Sequence, residues 1–269
     1  MKYGENHEPP PDPIEEAWSA LEDGDPGRAL EILSTLDEED PDRWVTEALV
    51  HLELGEISNA EKALLRARRL LGETDPDVLW ATAEIHLLRW RIGEAKQIFD
   101  RLAKIERTRP VLERIALCLD LEGNFEAADR IMDEAEREDS EGGRRPMLSA
   151  EEFEAVVHDA VKDLPKVYRR AFETMAVVID PVPDRSLLTD DDEDMPPDLL
   201  GFFVGRSMLD RSVTDTADLP PVIYLFRRNL ERVCRTREEL REEIRTTLYH
   251  ELGHALGHDE EGLREIGLD

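Results

Sequence analysis

Residues 236–257 read TREELREEIRTTLYHELGHALG and predict one long helix. Thr236 is placed to cap the first turn, and Glu239, three residues further on, is its partner in a capping box. Apolar residues recur at helical spacing through the segment, which predicts a helix over 236–256. Gly257 follows at a position where a left-handed turn can end the helix and redirect the chain.

The last turns of this predicted helix contain the pattern H-E-x-x-H, formed by His250, Glu251 and His254. On a helix the two histidines lie one turn apart on the same face, so both imidazoles can reach one metal ion. The glutamate is then placed to take a proton from a water that the metal activates, which is the chemistry that amide hydrolysis needs. The pattern therefore predicts a Zn²⁺ site with two histidine ligands and Glu251 as the catalytic base. The alternative is a purely structural role for all three residues.

A zinc ion that activates water needs three protein ligands, so a third ligand is expected. The candidates that follow the motif are His258, Asp259, Glu260, Glu261 and Glu265. On a straight helix His258 would lie about 12 Å from His250 along the axis, too far to share one ion comfortably. If Gly257 turns the chain, Glu260 folds back towards the metal. We predict Glu260 as the third ligand, and Asp259 and His258 stay open as alternatives.

Residues 149–269 resemble the small bacterial zincin-like metallopeptidase domain. The resemblance rests on the segment LFRR at 225–228, on the pattern H-E-x-x-H-x-x-G-x-x-E, and on a short final segment, LREIG, at 263–267. The family has Asp at the third ligand position, which maps onto Glu260 here. The resemblance implies a small α+β domain, a zinc cofactor and hydrolysis of peptide bonds.

Local patterns predict the other elements of this α+β segment. A helix over 150–163 is capped by Ser149, with Glu152 as the partner in a second capping box. An acidic, proline-flanked stretch at 190–194 predicts an exposed loop. Short apolar and β-branched runs predict strands at 175–179, 199–204 and 222–226. The strand at 199–204 is a candidate edge for pairing with an extended substrate.

The preceding residues, 14–137, are helical by pattern and carry an internal repeat of about 34 residues. Small alanines recur inside the second helices, at Ala29, Ala60, Ala95 and Ala128. Turn positions lie five residues before each of them, at Gly24, Gly55, Trp90 and Gly123. Prolines stand late in three units, at Pro41, Pro76 and Pro110. The spacing resembles that of tetratricopeptide repeats and predicts four helix pairs. A generic bundle of helical hairpins is the alternative.

The sequence thus predicts a multidomain protein, an all-α tetratricopeptide-like array followed by a small α+β minimal zincin domain. A flexible polar tail is expected over 1–13, the array over 14–137, a linker over 138–148 and the zincin-like domain over 149–269. Gly and Pro residues make the linker a poor helix former, so the two halves are expected to fold independently.

The chain carries 64 acidic and 34 basic side chains, a formal net charge of −30. A negative field of this size repels nucleic acid and anionic membranes and favours basic peptides or proteins as partners. A halophilic or merely very soluble protein would have the same composition. Two distant cysteines, Cys118 and Cys234, indicate a reducing compartment, and we expect a cytoplasmic protein without a signal peptide or membrane span.

These patterns predict a zinc metallopeptidase that hydrolyses peptide or protein substrates, with the helical array recruiting a substrate or another protein partner. The alternative is a protein-binding adaptor whose zinc domain is structural or nearly inactive. The openness of the metal's last coordination position and the effect of replacing Glu251 distinguish the two functions.

Overall fold

The structure is a computed structural model that describes residues 12–138, 144–172, 174–188, 195–205, 221–258 and 262. It contains two compact units, Met1–Arg107 and Thr108–Asp269. Three predicted segments fall wholly or partly outside the described residues: the tail over 1–13, the linker over 138–148 and the acidic loop over 190–194.

The described part of the first unit consists of helices joined by short turns. Consecutive helices pack against each other as pairs. The helices are α1 (Pro13–Glu22), α2 (Pro26–Ser34), α3 (Pro41–Glu53), α4 (Ile57–Leu71), α5 (Pro76–Leu88) and α6 (Ile92–Leu102). Proline stands in the first turn of α1, α2, α3 and α5, where its missing N–H costs no hydrogen bond.

One turn geometry joins the two helices of each pair. Gly24 and Gly55 adopt left-handed backbone angles, with φ of 75° and 69°. Trp90, the residue that breaks the glycine pattern, adopts the same geometry, with φ of 56°. The hydrogen bond from Trp90 N–H to Leu87 O matches the one from Gly55 N–H to the residue three before it. The same turn therefore recurs in each pair, even where the residue is not glycine. A residue with a side chain is strained in this left-handed region of backbone angles.

The repeated alanines lie where the sequence places them. Ala29, Ala60, Ala95 and Ala128 are all fully buried. A small side chain at this position lets the second helix of a pair approach the first closely. Helical hairpins are therefore present throughout the predicted array, whereas the specific tetratricopeptide geometry stays a prediction.

The second unit combines helices with a small sheet. Its elements are α7 (Arg109–Leu121), α8 (Phe125–Glu138), α9 (Ala150–Asp163), α10 (Lys166–Phe172), β1 (Ala176–Asp180), a short 3-10 helix (Arg185–Leu187), β2 (Gly201–Val204), β3 (Val222–Phe226), α11 (Arg227–Val233) and α12 (Arg237–Leu256). Helices α7 and α8 form the last hairpin of the predicted array, with Gly123 in its turn at φ of 76°.

The three strands lie in the order β1-β3-β2, which makes β3 the central strand. β1 runs parallel to β3, and β2 runs antiparallel to it, with Gly201 opposite Leu225. Each strand lies within one or two residues of the segment that the sequence predicted. Ile223 and Leu225 of β3 are fully buried and face the helices of this unit.

The core of the second unit forms where α9 and α12 pack against the sheet. Phe153 and Ala160 of α9, and Leu248 and Leu252 of α12, are completely buried in it. Both helices begin with the predicted capping boxes, Ser149 with Glu152 and Thr236 with Glu239. The core fixes the orientation of α12, whose last turns carry the H-E-x-x-H pattern.

The boundary between the compact units differs from the boundary predicted from sequence. The sequence predicts that the array ends at residue 137, whereas the two units divide between Arg107 and Thr108. Helices α7 and α8 lie in the second unit, where their acidic side chains pair with arginines of α11, as Asp120 does with Arg228.

Two further expectations concern the cysteines and the membrane. Cys118 and Cys234 are both buried, and they are not joined in a disulfide. Within the described residues, no helix combines the length and the apolar surface that crossing a lipid bilayer requires.

Candidate functional site

Helix α12 ends as the sequence predicts. Gly257 adopts a left-handed conformation with φ of 95°, and its N–H donates to His254 O at 2.9 Å. The N–H of His258 donates to Gly253 O at 3.0 Å, so the last carbonyl groups of the helix are satisfied. The chain therefore leaves the helix axis directly after the turn that contains His254.

The two histidines of the pattern converge. The Nε2 atoms of His250 and His254 lie 3.0 Å apart. Zinc–nitrogen bonds are about 2.0–2.1 Å long, so two nitrogens at this separation can both reach one ion. Nδ1 of His254 lies 3.1 Å from the backbone oxygen of His258. A proton on Nδ1 would donate to that carbonyl and leave the Nε2 lone pair for a metal, the usual support for a histidine ligand. The pair fits a zinc ion.

Glu251 is nearly buried, with 7% of its surface exposed, although it carries a carboxylate. It lines the same cavity as the two histidines. A carboxylate is rarely buried unless it pairs with a charged group, binds a metal or takes part in a proton transfer. A carboxylate that shares a cavity with two candidate metal ligands is a candidate general base.

The third metal ligand stays a prediction. Glu260 and its alternative Asp259 lie outside the described residues. Of the third alternative, His258, the backbone oxygen contacts His254. Among the residues that the structure describes, no three His, Cys, Asp or Glu side chains gather into a metal-sized cluster. The structure thus brings together the two predicted histidines and Glu251, and it does not test the carboxylate ligand.

Gly201 is a site residue that the sequence patterns did not single out. A Cβ atom added at this glycine would lie 2.6 Å from Thr247 Cγ2 and 3.0 Å from Glu251 Cγ. Glycine alone therefore permits β2 to approach α12 at the turns that carry the H-E-x-x-H pattern. A glycine inside a strand pattern is the available signal for such an approach.

The substitution Gly201→Ala is expected to lower the free energy of unfolding by about 1–3 kcal/mol, because the added methyl group overpacks a closed contact. Urea denaturation of the full-length chain measures the effect. Gly93→Ala is the matched control, since nothing lies within 4 Å of a Cβ at that helical position. The control is expected to be neutral or slightly stabilising. An unchanged urea midpoint in Gly201→Ala would show that the strand and the helix separate at no cost.

A cavity of about 600 Å³ lies beside the histidine pair. One wall is α12, with Glu243, Thr246 and Thr247 ahead of the pattern. The other wall is apolar and consists of Met195, Pro196, Leu199, Leu200, Gly201, Phe202 and Phe203. The volume lies within the range of small-molecule and peptide side-chain sites, about 300–1,000 Å³. The cavity therefore offers space for part of a substrate next to the candidate metal ligands.

A buried asparagine supports the apolar wall through hydrogen bonds. Asn229 of α11, 1% exposed, donates through Nδ2 to the backbone oxygens of Pro197 and Leu199 at 3.2 and 2.9 Å. Nη1 of Arg232 donates to Asn229 Oδ1 at 2.8 Å and so fixes the orientation of the amide. The segment that carries the wall therefore depends on hydrogen bonds from α11.

Helix α7 supports the same wall through two ion pairs, one made directly with the wall segment and one made with Arg232, which orients Asn229. Nη2 of Arg232 donates to Asp120 Oδ2 at 2.5 Å, and Nη1 of Arg114 donates to Asp198 Oδ2 at 2.7 Å. Asp198 lies within the segment that forms the wall. The last hairpin of the helical array is thus part of the support of the cavity.

Asp120 is the buried centre of this charge network. Its side chain is fully buried between Arg228, whose Nε lies 2.7 Å away, and Arg232. Burial raises the pKa of the Asp120 carboxyl above its ordinary value, and the hydrogen bond from Arg228 and the charge of Arg232 only partly oppose the shift. Desolvation therefore weighs heavily in this network, as is typical of buried ion pairs.

Comparison with known families supports the interpretation of the C-terminal segment. The family model of zincin-like metallopeptidases matches residues 172–268. The matched range includes the three strands, α11, α12 and the predicted ligand positions, and it supports a zincin-like metallopeptidase domain there. Helices α1 to α9 lie outside the match. The comparison with curated proteins gave no match.

Proposed function

We propose that this protein is a zinc-dependent peptidase that hydrolyses peptide bonds, with His250, His254 and Glu260 as the metal ligands. The observation that carries the proposal is the 3.0 Å approach of the two imidazole Nε2 atoms. The buried Glu251 and the adjoining cavity give the pair the surroundings of a catalytic site rather than a closed structural one. The family match over 172–268 supports the same conclusion.

The chemistry divides between the metal and the protein. Zinc, when bound, acts as a Lewis acid that acidifies a water molecule and polarises the scissile carbonyl. Glu251 accepts the proton of the attacking water and returns it to the leaving amine. A hydrogen bond from His254 Nδ1–H to the backbone oxygen of His258 would hold the ring in the tautomer that ligation needs. Glu251 is only 7% exposed beside the apolar wall of the cavity, so its carboxylate lies largely out of bulk water.

The substrate strand is proposed to lie along β2. Among the described residues β1 and β2 are the two edge strands of the sheet, and β2 is the one that borders the cavity, through Gly201, Phe202 and Phe203. An extended peptide can add to such an edge through main-chain hydrogen bonds. This placement brings a peptide bond near the histidine pair, with side chains reaching into the cavity.

The helical hairpins of the first unit are proposed to recruit a protein or peptide partner. Arrays of stacked helical hairpins offer extended surfaces for this purpose. The net charge of −30 favours a basic partner and disfavours nucleic acid. Binding of this kind is expected to weaken as salt rises, because exposed charges are screened over about 10 Å at 0.1 M.

Zinc content tests the metal site. The purified chain is expected to hold about one zinc, since one set of ligands is predicted. His250→Ala and His254→Ala are each expected to lose most of it in elemental analysis. Glu260→Ala is expected to weaken zinc binding by roughly 10-fold or more, and Asp259→Ala far less. Wild-type zinc levels in both histidine variants would disprove the site, and the reverse order of the two acidic variants would assign the third ligand to Asp259.

Digestion of an unstructured peptide library by the full-length, zinc-loaded chain tests the activity. Cleavage that a chelator abolishes and added zinc restores is the expected result. Zinc binding at full occupancy without cleavage of any peptide would instead support the adaptor function, with a structural zinc domain.

A further inference from the structure

Glu243 gives the cavity a negative charge away from the reacting groups. Among the described residues that line the cavity, Glu243 and Glu251 are the two carboxylates, and the wall opposite them is apolar. Glu251 is assigned to proton transfer in the proposed function. Glu243 has no part in that chemistry, so its place in the lining requires a separate explanation.

Spacing along α12 places Glu243 on the face of the catalytic pattern. Glu243, Thr247, His250 and His254 follow one another at intervals of four, three and four residues, so they form a single stripe on the helix. Seven residues separate Glu243 from His250, which corresponds to about 10 Å along the axis. The carboxylate therefore stands at the far end of the cavity as measured from the candidate metal ligands.

The arginines of α12 leave Glu243 available. Arg237 pairs with Glu152, Arg241 with Glu238, and Arg245 with Asp163. Glu243 forms no salt bridge within the described part of the chain, and it is half-buried. A half-buried carboxylate facing an apolar wall gains most from a cation that enters the cavity.

We propose, resting on the proposed function, that the cavity selects substrates with a long basic side chain, lysine or arginine. The hydrocarbon stem of such a side chain lies against the apolar wall formed by residues such as Leu199 and Phe203, while its charged head pairs with Glu243. An uncharged side chain of the same length covers the same apolar surface and leaves the carboxylate partly desolvated without a partner. The excess negative charge of the chain favours the same class of substrate.

Binding to an inactive variant tests the selectivity without requiring cleavage. The probes are fluorescent extended peptides in which one position at a time holds lysine or the neutral norleucine. They are titrated by anisotropy against full-length, zinc-loaded Glu251→Gln protein. At one position the lysine peptide is expected to bind about 10- to 100-fold more tightly than its norleucine counterpart. Adding Glu243→Gln is expected to reduce this ratio to within about threefold of one.

The control and the charge reversal separate the cavity from general acidity. Glu242→Gln removes the same charge from an exposed neighbouring position and is expected to leave the lysine preference intact. Glu243→Lys is expected to make a glutamate peptide bind more tightly than the lysine peptide. A wild-type-like lysine preference in Glu243→Gln, or equal binding of lysine and norleucine peptides before that substitution, would overturn the proposal. Failure of the wild-type chain to cleave any peptide, with the lysine preference intact, would instead contradict only the peptidase function.

Discussion

Replacement of Glu251 by glutamine is expected to lower kcat for peptide cleavage by about 10²- to 10⁴-fold, the usual contribution of a general acid–base group. Glutamine keeps the shape of the side chain, which matters because Glu251 is only 7% exposed and packs beside Gly201. The amide cannot accept a proton from water at neutral pH. His250 and His254 remain in place, so zinc is expected to stay bound. Steady-state kinetics on an unstructured peptide and elemental analysis measure the two effects separately.

The matched control for this prediction is Glu242→Gln on the same helix. Glu242 is exposed, and its replacement is expected to change kcat by less than about twofold, as surface substitutions usually have little effect. A Glu251→Gln variant that turns over peptide as fast as the wild type would rule out a base at this position. Loss of zinc together with activity would show that the carboxylate supports the metal site rather than proton transfer.

The parts of the structure that the sequence predicted are those determined by local signals. The capping boxes at Ser149 and Thr236 set the first turns of α9 and α12, because each box uses residues three apart in sequence. The left-handed turn at Gly257 follows from the conformational freedom of glycine. The position of the two histidines on one face follows from the helical period alone. Trp90 marks the limit of such rules, because it adopts the turn that glycine occupies elsewhere.

The parts that the sequence did not predict depend on contacts between distant residues. The bond between Arg232 and Asp120 joins positions 112 residues apart, and neither residue belongs to a recognisable motif. From sequence alone, the charged residues of an acidic chain are assigned to the solvated surface, because only the fold shows which of them pair. The closeness of Gly201 to α12 likewise depends on the packing of a strand against a helix. Sequence patterns therefore predicted the histidine pair and Glu251 and missed the residues that support the cavity.

Replacement of Asp120 by alanine is expected to lower the free energy of unfolding by about 3–5 kcal/mol, the usual cost of removing one partner from a buried ion pair. Arg228 and Arg232 would be left without the carboxylate that lies between them. Urea denaturation of the full-length chain, followed by circular dichroism, measures the loss. Asp133→Ala is the control on the same hairpin, because Asp133 is 55% exposed and its contact with Arg144 is 4.0 Å long. The control is expected to change stability by less than about 0.5 kcal/mol.

The same network bears on where the zincin-like domain begins. A fragment of residues 149–269 follows the boundary that the sequence predicted, but it lacks Asp120 and keeps both arginines. A fragment of residues 108–269 keeps the whole network. We expect the longer fragment to unfold cooperatively and bind zinc, and the shorter one to be less stable by at least the cost of Asp120→Ala. Equal stability of the two fragments would show that α7 and α8 contact the domain without stabilising it. The expected difference would instead make the last hairpin of the array part of the zincin-like domain, since Arg232 also donates to Asn229, which bonds to the cavity wall.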